Sequence, residues 1–331
     1  MNAPTVVITG ASAGIGRATA RTFARRGWRV GLLARGQDGL DAAATEVTAY
    51  GSKALAVPTD VADPEQVEAA AARIERDLGP IDVWVNNAMA TIFCEFDKID
   101  PGDFRRATEV TYLGTVWGTR AALRRMLARD AGTIVQVGSA LAYRSIPLQA
   151  PYCGAKSAVR GFTDSLRSEL IHHDSNVHLT MVHLSAFNTP QFEWGRACIA
   201  RQPQPVPPIF QPEVAADAIY YAATHRRREL WVGAPAVKAI VGTKLIPGAL
   251  DRWLARTCYT AQHTDEPIGA DRQDNLYEPV AGDHGAHGRF DARARTASTQ
   301  MWLNTHRAGL VIGMLAGCAA GLALTQLRPR R

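Results

Sequence analysis

The feature that most constrains the fold is a regular alternation, from residue 5 to residue 232, of short apolar segments with helical patterns. The apolar segments have strand length and lie at residues 5–9, 29–34, 54–58, 81–86, 132–137, 177–184 and 230–232. The helical patterns lie between them, at residues 14–26, 38–50, 64–78, 101–129, 150–173 and 212–225. Strands that are apolar on both faces and are joined through helices form a parallel sheet covered on both sides. Right-handed crossovers then predict a doubly wound α/β fold.

The turn that joins the first predicted strand to the first helix reads TGASAGIG. Gly10 permits a tight turn, whereas Gly14 and Gly16 let the backbone approach a pyrophosphate and let the helix approach the sheet. Phosphate charge is favoured at a helix N-terminus, because free N–H groups and the helix dipole point toward it. The turn therefore predicts a Rossmann-like fold with a dinucleotide site, in which Ser12 and Ile15 accompany the three glycines.

The end of the second predicted strand bears on which dinucleotide is bound. An acidic residue at this place would accept hydrogen bonds from the adenosine ribose, but Ala34 stands there and Arg35 follows. An arginine can instead pair with a 2′-phosphate. Arg35 therefore favours NADP(H) over NAD(H), and the alternative is that it is only a solvated surface charge.

Three further residues form a candidate catalytic group. Tyr152 and Lys156 lie one turn apart in a predicted helix and so share a helix face. A free tyrosine has a pKa of about 10, and a nearby lysine ammonium favours the phenolate and lowers that pKa. Tyr152 can then act as general acid in a reduction or as general base in an oxidation. The hydroxyl of Ser139, which follows the fifth predicted strand, can hold the substrate oxygen.

The glycine motif, taken together with Ser139, Tyr152 and Lys156, resembles the short-chain dehydrogenase/reductase family over roughly residues 4–235. The resemblance implies an NAD(P)-dependent enzyme that moves a hydride between the nicotinamide and a carbonyl or alcohol. It also implies that Lys156 binds the nicotinamide ribose and that the enzyme is a homo-oligomer with a small-molecule substrate.

The resemblance extends to five further cofactor contacts. Asp60 and Val61, after the third predicted strand, match the pair that contacts the adenine in the family. Asn87 and Ala88 match part of an Asn-Asn-Ala-Gly element after the fourth strand. Thr189 matches a threonine that contacts the nicotinamide amide.

The chain departs from the family pattern at three places. Thr111 stands where the family usually has an asparagine that holds a proton-relaying water, and a threonine offers only one hydroxyl. Met89 replaces the glycine of the Asn-Asn-Ala-Gly element, and no Pro-Gly precedes Thr189. Slower turnover is therefore expected. These departures keep open a non-catalytic nucleotide-binding or redox-sensing protein, and the fold also permits epimerase or dehydratase chemistry.

The composition of the chain indicates which binding partners and which cellular compartment to expect. The 331 residues carry a net charge of +6, and the basic residues form no stripe interleaved with aromatic residues, so no nucleic-acid partner is predicted. The five cysteines are far apart and form no CxxC or Cys/His cluster, so neither a metal site nor a disulfide is predicted. This usage is typical of a reducing compartment. Without a secretory signal pattern at the N-terminus, a cytoplasmic catalytic domain is expected.

Two segments interrupt the alternation. Residues 188–211 are rich in proline and aromatic residues, and they follow a strand at the edge where ligands bind. They are interpreted as a substrate lid, with a surface loop of no function as the alternative. Residues 257–301 show no periodicity and are interpreted as a polar tail or linker after a domain of residues 1–256.

The C-terminal segment is apolar. Residues 308–324 carry no charge, and residues 302–327 are predicted as a transmembrane helix, since about 20 residues span the hydrocarbon layer. Glycines recur on one face at positions 309, 313, 317 and 321, as in helices that pack closely within bilayers. We therefore expect membrane contact through residues 308–327 and a lipophilic substrate. The alternative is an apolar helix docked on the enzyme or on a partner.

Overall fold

A computed structural model describes residues 3–269 and 271–307 of the chain. Its central sheet has seven strands, all parallel, in the order β7-β6-β5-β4-β1-β2-β3. The strands are β1 Thr5–Thr9, β2 Arg29–Ala34, β3 Ala54–Pro58, β4 Ile81–Asn86, β5 Thr133–Ser139, β6 His178–Leu184 and β7 Glu229–Val232. The predicted doubly wound parallel sheet of Rossmann-like type is confirmed.

Helices cover both faces of this sheet. The α-helices of the described residues are α1 Gly14–Ala24, α2 Gln37–Ala49, α3 Pro64–Leu78, α4 Pro101–Thr108, α5 Gly114–Leu127, α6 Ala150–His172, α7 Gln191–Trp194, α8 Pro212–Thr224, α9 Ala234–Leu245, α10 Pro247–Ala261 and α11 Thr299–Thr305. Short 3₁₀ turns lie at Phe96–Lys98, Ala140–Ala142 and Asp291–Arg293.

The long helix predicted over residues 101–129 is interrupted. A π-helical turn, Glu109–Leu113, separates α4 from α5. Gly114 follows this turn at a close contact, because a Cβ there would lie 2.6 Å from a methyl of Val61. π-Helical turns are frequent at functional sites, and this one carries Thr111.

Alternating side chains of each strand build a core on each face of the sheet. Val6 and Ile8 of β1 are fully buried in the cluster that includes Phe23 of α1. Val7, between them, faces the other cluster, which includes Trp84 and Met126. Burial of one such side chain contributes about 1.5–3 kcal/mol. The sheet is therefore a rigid support for the loops at its carboxyl edge.

Short strands tie these loops together. Ile92–Phe93 pairs with Arg196–Ala197, and Arg201–Pro203 pairs with His263–Pro267. Ile209–Phe210 lies between Ala186–Phe187 and Ala294–Arg295. The pairings bring residues beyond position 257 back onto the sheet edge.

Residues 257–269 and 271–301 are therefore folded on the Rossmann domain rather than extended from it. Residues up to Ala261 belong to α10, which crosses the predicted domain boundary at position 256. Residues 271–291, called the strap below, pass over the carboxyl edge of the sheet. Leu276, Ala286 and Phe290 of the strap are buried, which anchors it against the domain.

The predicted transmembrane helix at residues 302–327 lies mostly outside the described residues, since these end at position 307. Its first residues belong to α11, where Met301 is buried and Trp302 is exposed. In the part of the chain that the structure describes, no helix is both long enough and apolar enough to cross a bilayer.

Candidate active site

The predicted site residues meet in a groove at the carboxyl edge of the sheet. A cavity of about 630 Å³ contains Ser139, Tyr152 and Lys156 in its wall. A smaller cavity of about 130 Å³ lies beside it under the strap, and the two share Gly10 and other residues of their walls. Of the predicted cofactor contacts, those that line the larger cavity are Gly10, Ser12, Gly14, Ile15, Asn87, Ala88, Lys156 and Thr189. Arg35, Asp60 and Val61 line the smaller one.

The glycine turn has the shape of a cradle for a cofactor. Gly10 has a φ of +67°, and a Cβ there would lie 2.9 Å from the Cα of Ala88. A Cβ on Gly16 would lie 2.0 Å from the main-chain oxygen of Gly10. Gly16, the one predicted contact outside both linings, therefore allows α1 to approach β1 closely. Side chains would fill the space in which backbone N–H groups meet phosphate, so the turn fits a dinucleotide.

Asn87 holds the glycine turn against the loop after β4. Its side-chain amide donates hydrogen bonds to the main-chain oxygens of Thr9, at 2.9 Å, and Gly10, at 3.3 Å. The Thr9 hydroxyl in turn accepts from the main-chain N–H groups of Asn87 and Ala88. These bonds fix the floor of the groove where its two cavities meet.

Arg35 is engaged by the strap. Its Nη1 donates to the main-chain oxygens of Leu276, at 3.3 Å, and Tyr277, at 2.5 Å, and its Nη2 donates to that of Asn275. Burial lowers the pKa of the Arg35 guanidinium, with Asp60 opposing that effect. Arg35 is therefore not the free surface charge that the sequence left as an alternative.

The candidate catalytic group comes from β5 and α6. Ser139 ends β5, and Tyr152 and Lys156 lie on the first turns of α6, which begins at Ala150 with a proline at its first turn. The Lys156 ammonium donates to the main-chain oxygen of Val137 at 2.7 Å and lies 5.6 Å from the centre of the Tyr152 ring. All three side chains face one cavity.

The pKa values of this group differ from the sequence expectation. Burial raises the pKa of Tyr152 to about 12, and a hydrogen bond with Ser139 opposes the rise. Burial lowers the pKa of Lys156 to about 8. The net lowering of the Tyr152 pKa that the sequence led us to expect is not found in this geometry, because desolvation of the phenol outweighs the effects that favour the phenolate.

Thr111 is fully buried in the π-helical turn. Its hydroxyl donates to the main-chain oxygen of Ala90 at 3.0 Å and accepts from the N–H of the same residue at 2.9 Å. Because a hydroxyl has one proton to donate, no donor remains for a relay water. Thr111 joins the π-helical turn to the loop after β4 in this structure.

The outer wall of the large cavity is mostly apolar. Phe192 and Trp194 of the predicted lid line it, whereas Phe210 is buried outside it against Phe187. The opposite wall comes from α9 and α10, with Leu250 and Trp253 among its residues. Sequence reasoning missed this wall, because the predicted alternation of strands and helices ends at residue 232.

A buried polar chain behind Ser139 was also missed. His183 of β6 has Nδ1 3.3 Å from the main-chain oxygen of Ser139 and Nε2 3.2 Å from the carboxylate of Glu229. The Tyr143 hydroxyl donates to the same carboxylate at 3.0 Å. The hydrogen bond with His183, together with smaller effects of Tyr143 and Arg228, lowers the pKa of Glu229 to about 2 against the opposing effect of burial. The only sequence signal was a histidine within an apolar strand.

The prediction that the chain has no disulfide is wrong for one pair. Cys94 and Cys198 are bonded, with their Cα atoms 5.0 Å apart. They lie far apart in the sequence and are brought together because Ile92–Phe93 pairs with Arg196–Ala197. The bond ties the loop after β4 to the segment that carries Trp194.

Comparisons with known proteins agree on one class. The family described as short chain dehydrogenase matches residues 4–195. An uncharacterized oxidoreductase of Bacillus subtilis, YxnA, is 33% identical over 281 residues, which cover 84% of this chain and 79% of the relative.

Two solved structures are similar at the level of the fold and share more than a quarter of their residues. A short-chain dehydrogenase from Streptomyces avermitilis superposes with a TM-score of 0.65 and 28% identity, covering 78% of this chain and 98% of the other. An alcohol dehydrogenase from Thermococcus sibiricus complexed with 5-hydroxy-NADP superposes with a TM-score of 0.61 and 27% identity, covering 70% and 96%.

Proposed function

Because this chain belongs to the short-chain dehydrogenase/reductase family, and so to enzymes that act on CH–OH or C=O groups, we propose that it is an NADP(H)-dependent oxidoreductase of lipophilic substrates with Tyr152 as general acid/base. The observation that carries this proposal is the meeting of Ser139, Tyr152 and Lys156 in one cavity beside the glycine cradle. When bound, the nicotinamide would supply or accept the hydride.

Each of the three residues of the catalytic group has one role in the proposed reaction. The Ser139 hydroxyl binds the substrate oxygen and orients it toward Tyr152. With a pKa of about 12, Tyr152 is protonated at neutral pH and so is ready to donate its proton in a reduction. Lys156, with a pKa of about 8, is mostly protonated at pH 7, and its charge stabilises the phenolate that forms.

The proposed preference for NADP(H) depends on Arg35. The chain has Ala34 where a ribose-binding carboxylate would stand, and the guanidinium of Arg35 lies at the wall of the small cavity. Asp60 and Val61 in the same wall are the proposed adenine contacts. The similar structure from Thermococcus sibiricus was solved with an NADP derivative, which agrees with this preference.

The proposed substrate class follows from the wall of the large cavity. Phe192, Trp194, Leu250 and Trp253 present apolar surface near the catalytic group. Apolar pockets with a few polar groups bind ligands that are mainly hydrophobic. A lipophilic carbonyl or alcohol fits this wall, and the predicted anchor at residues 308–327 would place the enzyme near such substrates.

A second candidate function is nucleotide binding without turnover. The observation that favours it is Thr111, whose hydroxyl is bonded to both main-chain groups of Ala90 and has no proton left to relay. The intact Ser139, Tyr152 and Lys156 group opposes it.

The test begins with fluorescence titration of the full-length protein with NADPH and NADH. Turnover of a panel of carbonyl compounds is then compared in wild type, Tyr152→Phe and Tyr50→Phe, the last altering an exposed tyrosine outside both cavity linings. We expect Tyr152→Phe to lower kcat by about 10²–10⁴-fold while NADPH binding is kept, and Tyr50→Phe to leave both unchanged. Full turnover by Tyr152→Phe would exclude the proposed acid/base, and NADPH binding without turnover in wild type would favour the second candidate.

A further inference from the structure

The strap forms hydrogen bonds with two groups that a bound dinucleotide would use for its phosphates. These groups are the N-terminus of α1 and the guanidinium of Arg35. The main-chain oxygen of Gly285 accepts from the N–H of Gly14 at 3.0 Å, at the start of α1. The main-chain oxygens of Asn275, Leu276 and Tyr277 accept from Arg35. Carbonyl oxygens of the strap thus stand where phosphate oxygens are expected in the proposed complex.

Leu276 is one of the residues that hold the strap in place. This side chain is fully buried in the cluster that includes Val61 and Val110. Its main-chain oxygen also accepts from the Arg106 side chain at 3.2 Å, and its N–H donates to Asp274 at 3.0 Å. Leu276 is thus an anchor of the strap, since its buried side chain fixes the carbonyl groups that the Arg35 guanidinium binds.

The bonds between Arg35 and the strap join a charged donor to neutral acceptors. Within residues 3–269 and 271–307, Arg35 forms no salt bridge. Hydrogen bonds between a guanidinium and a phosphate are stronger than those to a neutral carbonyl, because both partners are charged. A 2′-phosphate can therefore displace the strap carbonyls from Arg35, whereas a ribose hydroxyl is neutral and has no such advantage.

The strap is also tied to the substrate side of the groove. The N–H of Asn275 donates to the main-chain oxygen of Trp194 at 3.1 Å, and His284 packs edge-to-face on the Trp194 ring. Arg272 donates to the main-chain oxygen of Gly195 at 2.6 Å. Release of the strap would therefore also free the segment that carries Trp194.

We propose that the strap is a cover of the dinucleotide site, that Arg35 is its latch, and that the 2′-phosphate of NADP(H) opens it by taking over the guanidinium. Specificity for NADP(H) then comes from an exchange of partners on Arg35 rather than from an arginine that is free beforehand. The inference rests on the proposed dinucleotide site and deepens it, since it assigns to residues 275–277 a part in cofactor selection.

The latch is tested first without any ligand, by hydrogen–deuterium exchange of full-length protein. Wild type is compared with Arg35→Ala and with Arg105→Ala, an exposed arginine of α4. Loss of the latch is expected to raise exchange across residues 274–279 at least about tenfold in Arg35→Ala only. Equal exchange in wild type and Arg35→Ala would overturn the role of Arg35 as a latch.

The opening step is tested by the same measurement on wild type with NADPH or with NADH, each at the concentration at which NADPH saturates the protein. We expect NADPH to raise exchange across residues 274–279, although ligands usually protect the segments they touch, and NADH to leave it unchanged. Protection of this segment by NADPH would overturn the inference, because the strap would then be closing over the cofactor.

A loosened strap gives a second, independent readout. Leu276→Ala removes the buried anchor but keeps Arg35, and Asp274→Asn weakens the strap should the first variant fail to fold. We expect the Kd values for NADPH and for NADH each to fall at least about fivefold in either variant, because neither dinucleotide then has to displace a latched strap. Unchanged Kd values in both variants would overturn the inference while leaving the proposed function intact. Failure of both dinucleotides to bind wild type and the variants would instead overturn the proposed function and the inference with it.

Discussion

The ammonium of Lys156 is bound to the main-chain oxygen of Val137 at 2.7 Å, and so it is directed toward β5 rather than toward the Tyr152 hydroxyl. This geometry makes burial the main influence on both side chains, with the pKa of Lys156 lowered to about 8 and that of Tyr152 raised to about 12. Tyr152 therefore donates the proton in the proposed reduction. The ammonium of Lys156 stabilises the phenolate that results, and this ammonium titrates near physiological pH.

The first prediction concerns the pH dependence of the reduction. As the pH rises through about 8, Lys156 loses its proton and the phenolate formed at Tyr152 loses a stabilising charge. We expect kcat for carbonyl reduction to fall above this pH, measured as a pH–rate profile with saturating NADPH. Lys156→Arg keeps the charge at all these pH values, so its residual rate should show no such fall. A fall of equal size in Lys156→Arg would contradict the assignment.

The second prediction concerns the same lysine in the folding equilibrium. The pKa of Lys156 is lower in the folded protein than its ordinary 10.5, so the folded state binds fewer protons between about pH 8 and pH 10.5. The Lys156 contribution to the free energy of unfolding must then rise with pH across this window. We expect the difference between wild type and Lys156→Met, measured by urea unfolding, to shift in favour of wild type from pH 8 to pH 10. A constant difference would show that Lys156 is more hydrated than its burial indicates.

The third prediction concerns Thr111. Thr111→Asn places an amide where the family pattern has one, and we expect kcat to rise while the Kd for NADPH stays within about twofold. Thr111→Val is the control, because it leaves the N–H and the oxygen of Ala90 without their partner and should cost about 1–3 kcal/mol of stability without raising kcat. Steady-state kinetics and thermal unfolding are the measurements. An unchanged or lower kcat in Thr111→Asn would count against a missing relay.

The fourth prediction concerns the polar chain behind Ser139. Glu229 has a pKa of about 2 when folded and an ordinary value of 4.5, so its contribution is present above pH 4.5 and is lost as the pH falls toward 2. We expect Glu229→Gln to lose about 1–3 kcal/mol of stability at pH 7, and the gap to wild type to close between pH 4.5 and pH 2. The matched control is Glu193→Gln, an exposed glutamate of α7. A gap that stays the same at low pH would contradict the pairing with His183.

The fifth prediction concerns the Cys94–Cys198 bond. A disulfide that closes a long loop stabilises a protein by about 2–4 kcal/mol. Cys94→Ala is therefore expected to lower the free energy of unfolding by that amount under oxidising conditions. Reducing agent should destabilise wild type but not the variant. Cys258→Ala, which removes a free cysteine, is the control for effects of thiol loss. Equal sensitivity of wild type and Cys94→Ala to reducing agent would exclude the bond in solution.

The predicted C-terminal anchor is testable by fractionation. Full-length protein is expected to sediment with membranes and to need detergent for release, whereas a chain ending at Arg307 should stay in the supernatant. Both proteins contain all the residues that the structure describes, and NADPH binding serves as the check that the shorter chain is intact. Full-length protein that stays in the supernatant without detergent would refute the anchor.

The sequence predicted the sheet well because each strand is a local apolar run between clear breaks. The bounds of β1 and β2 agree with the prediction, and the Ser139, Tyr152 and Lys156 group meets as expected, because it depends on a helix face and one strand end. The strap was not predicted, since its anchoring depends on three buried residues, Leu276, Ala286 and Phe290, that are spread through a polar segment.

Two other features could not be predicted from the sequence for the same reason as the strap. The disulfide needs the pairing of two short strands that have no pattern of their own, and the direction of the Lys156 ammonium depends on a main-chain oxygen. Each is a contact between different secondary-structure segments, and its geometry is set by tertiary packing rather than by local propensity.

The hydrogen bond between Arg35 and Leu276 joins residues 241 positions apart. A chain is synthesised from its N-terminus, and its early segments start to fold while later ones are still being made. The glycine turn and the catalytic group are therefore synthesised before residue 271 is added. Until then the chain lacks the segment that covers the dinucleotide groove. The latch between Arg35 and the strap can therefore form only late in the synthesis of the chain.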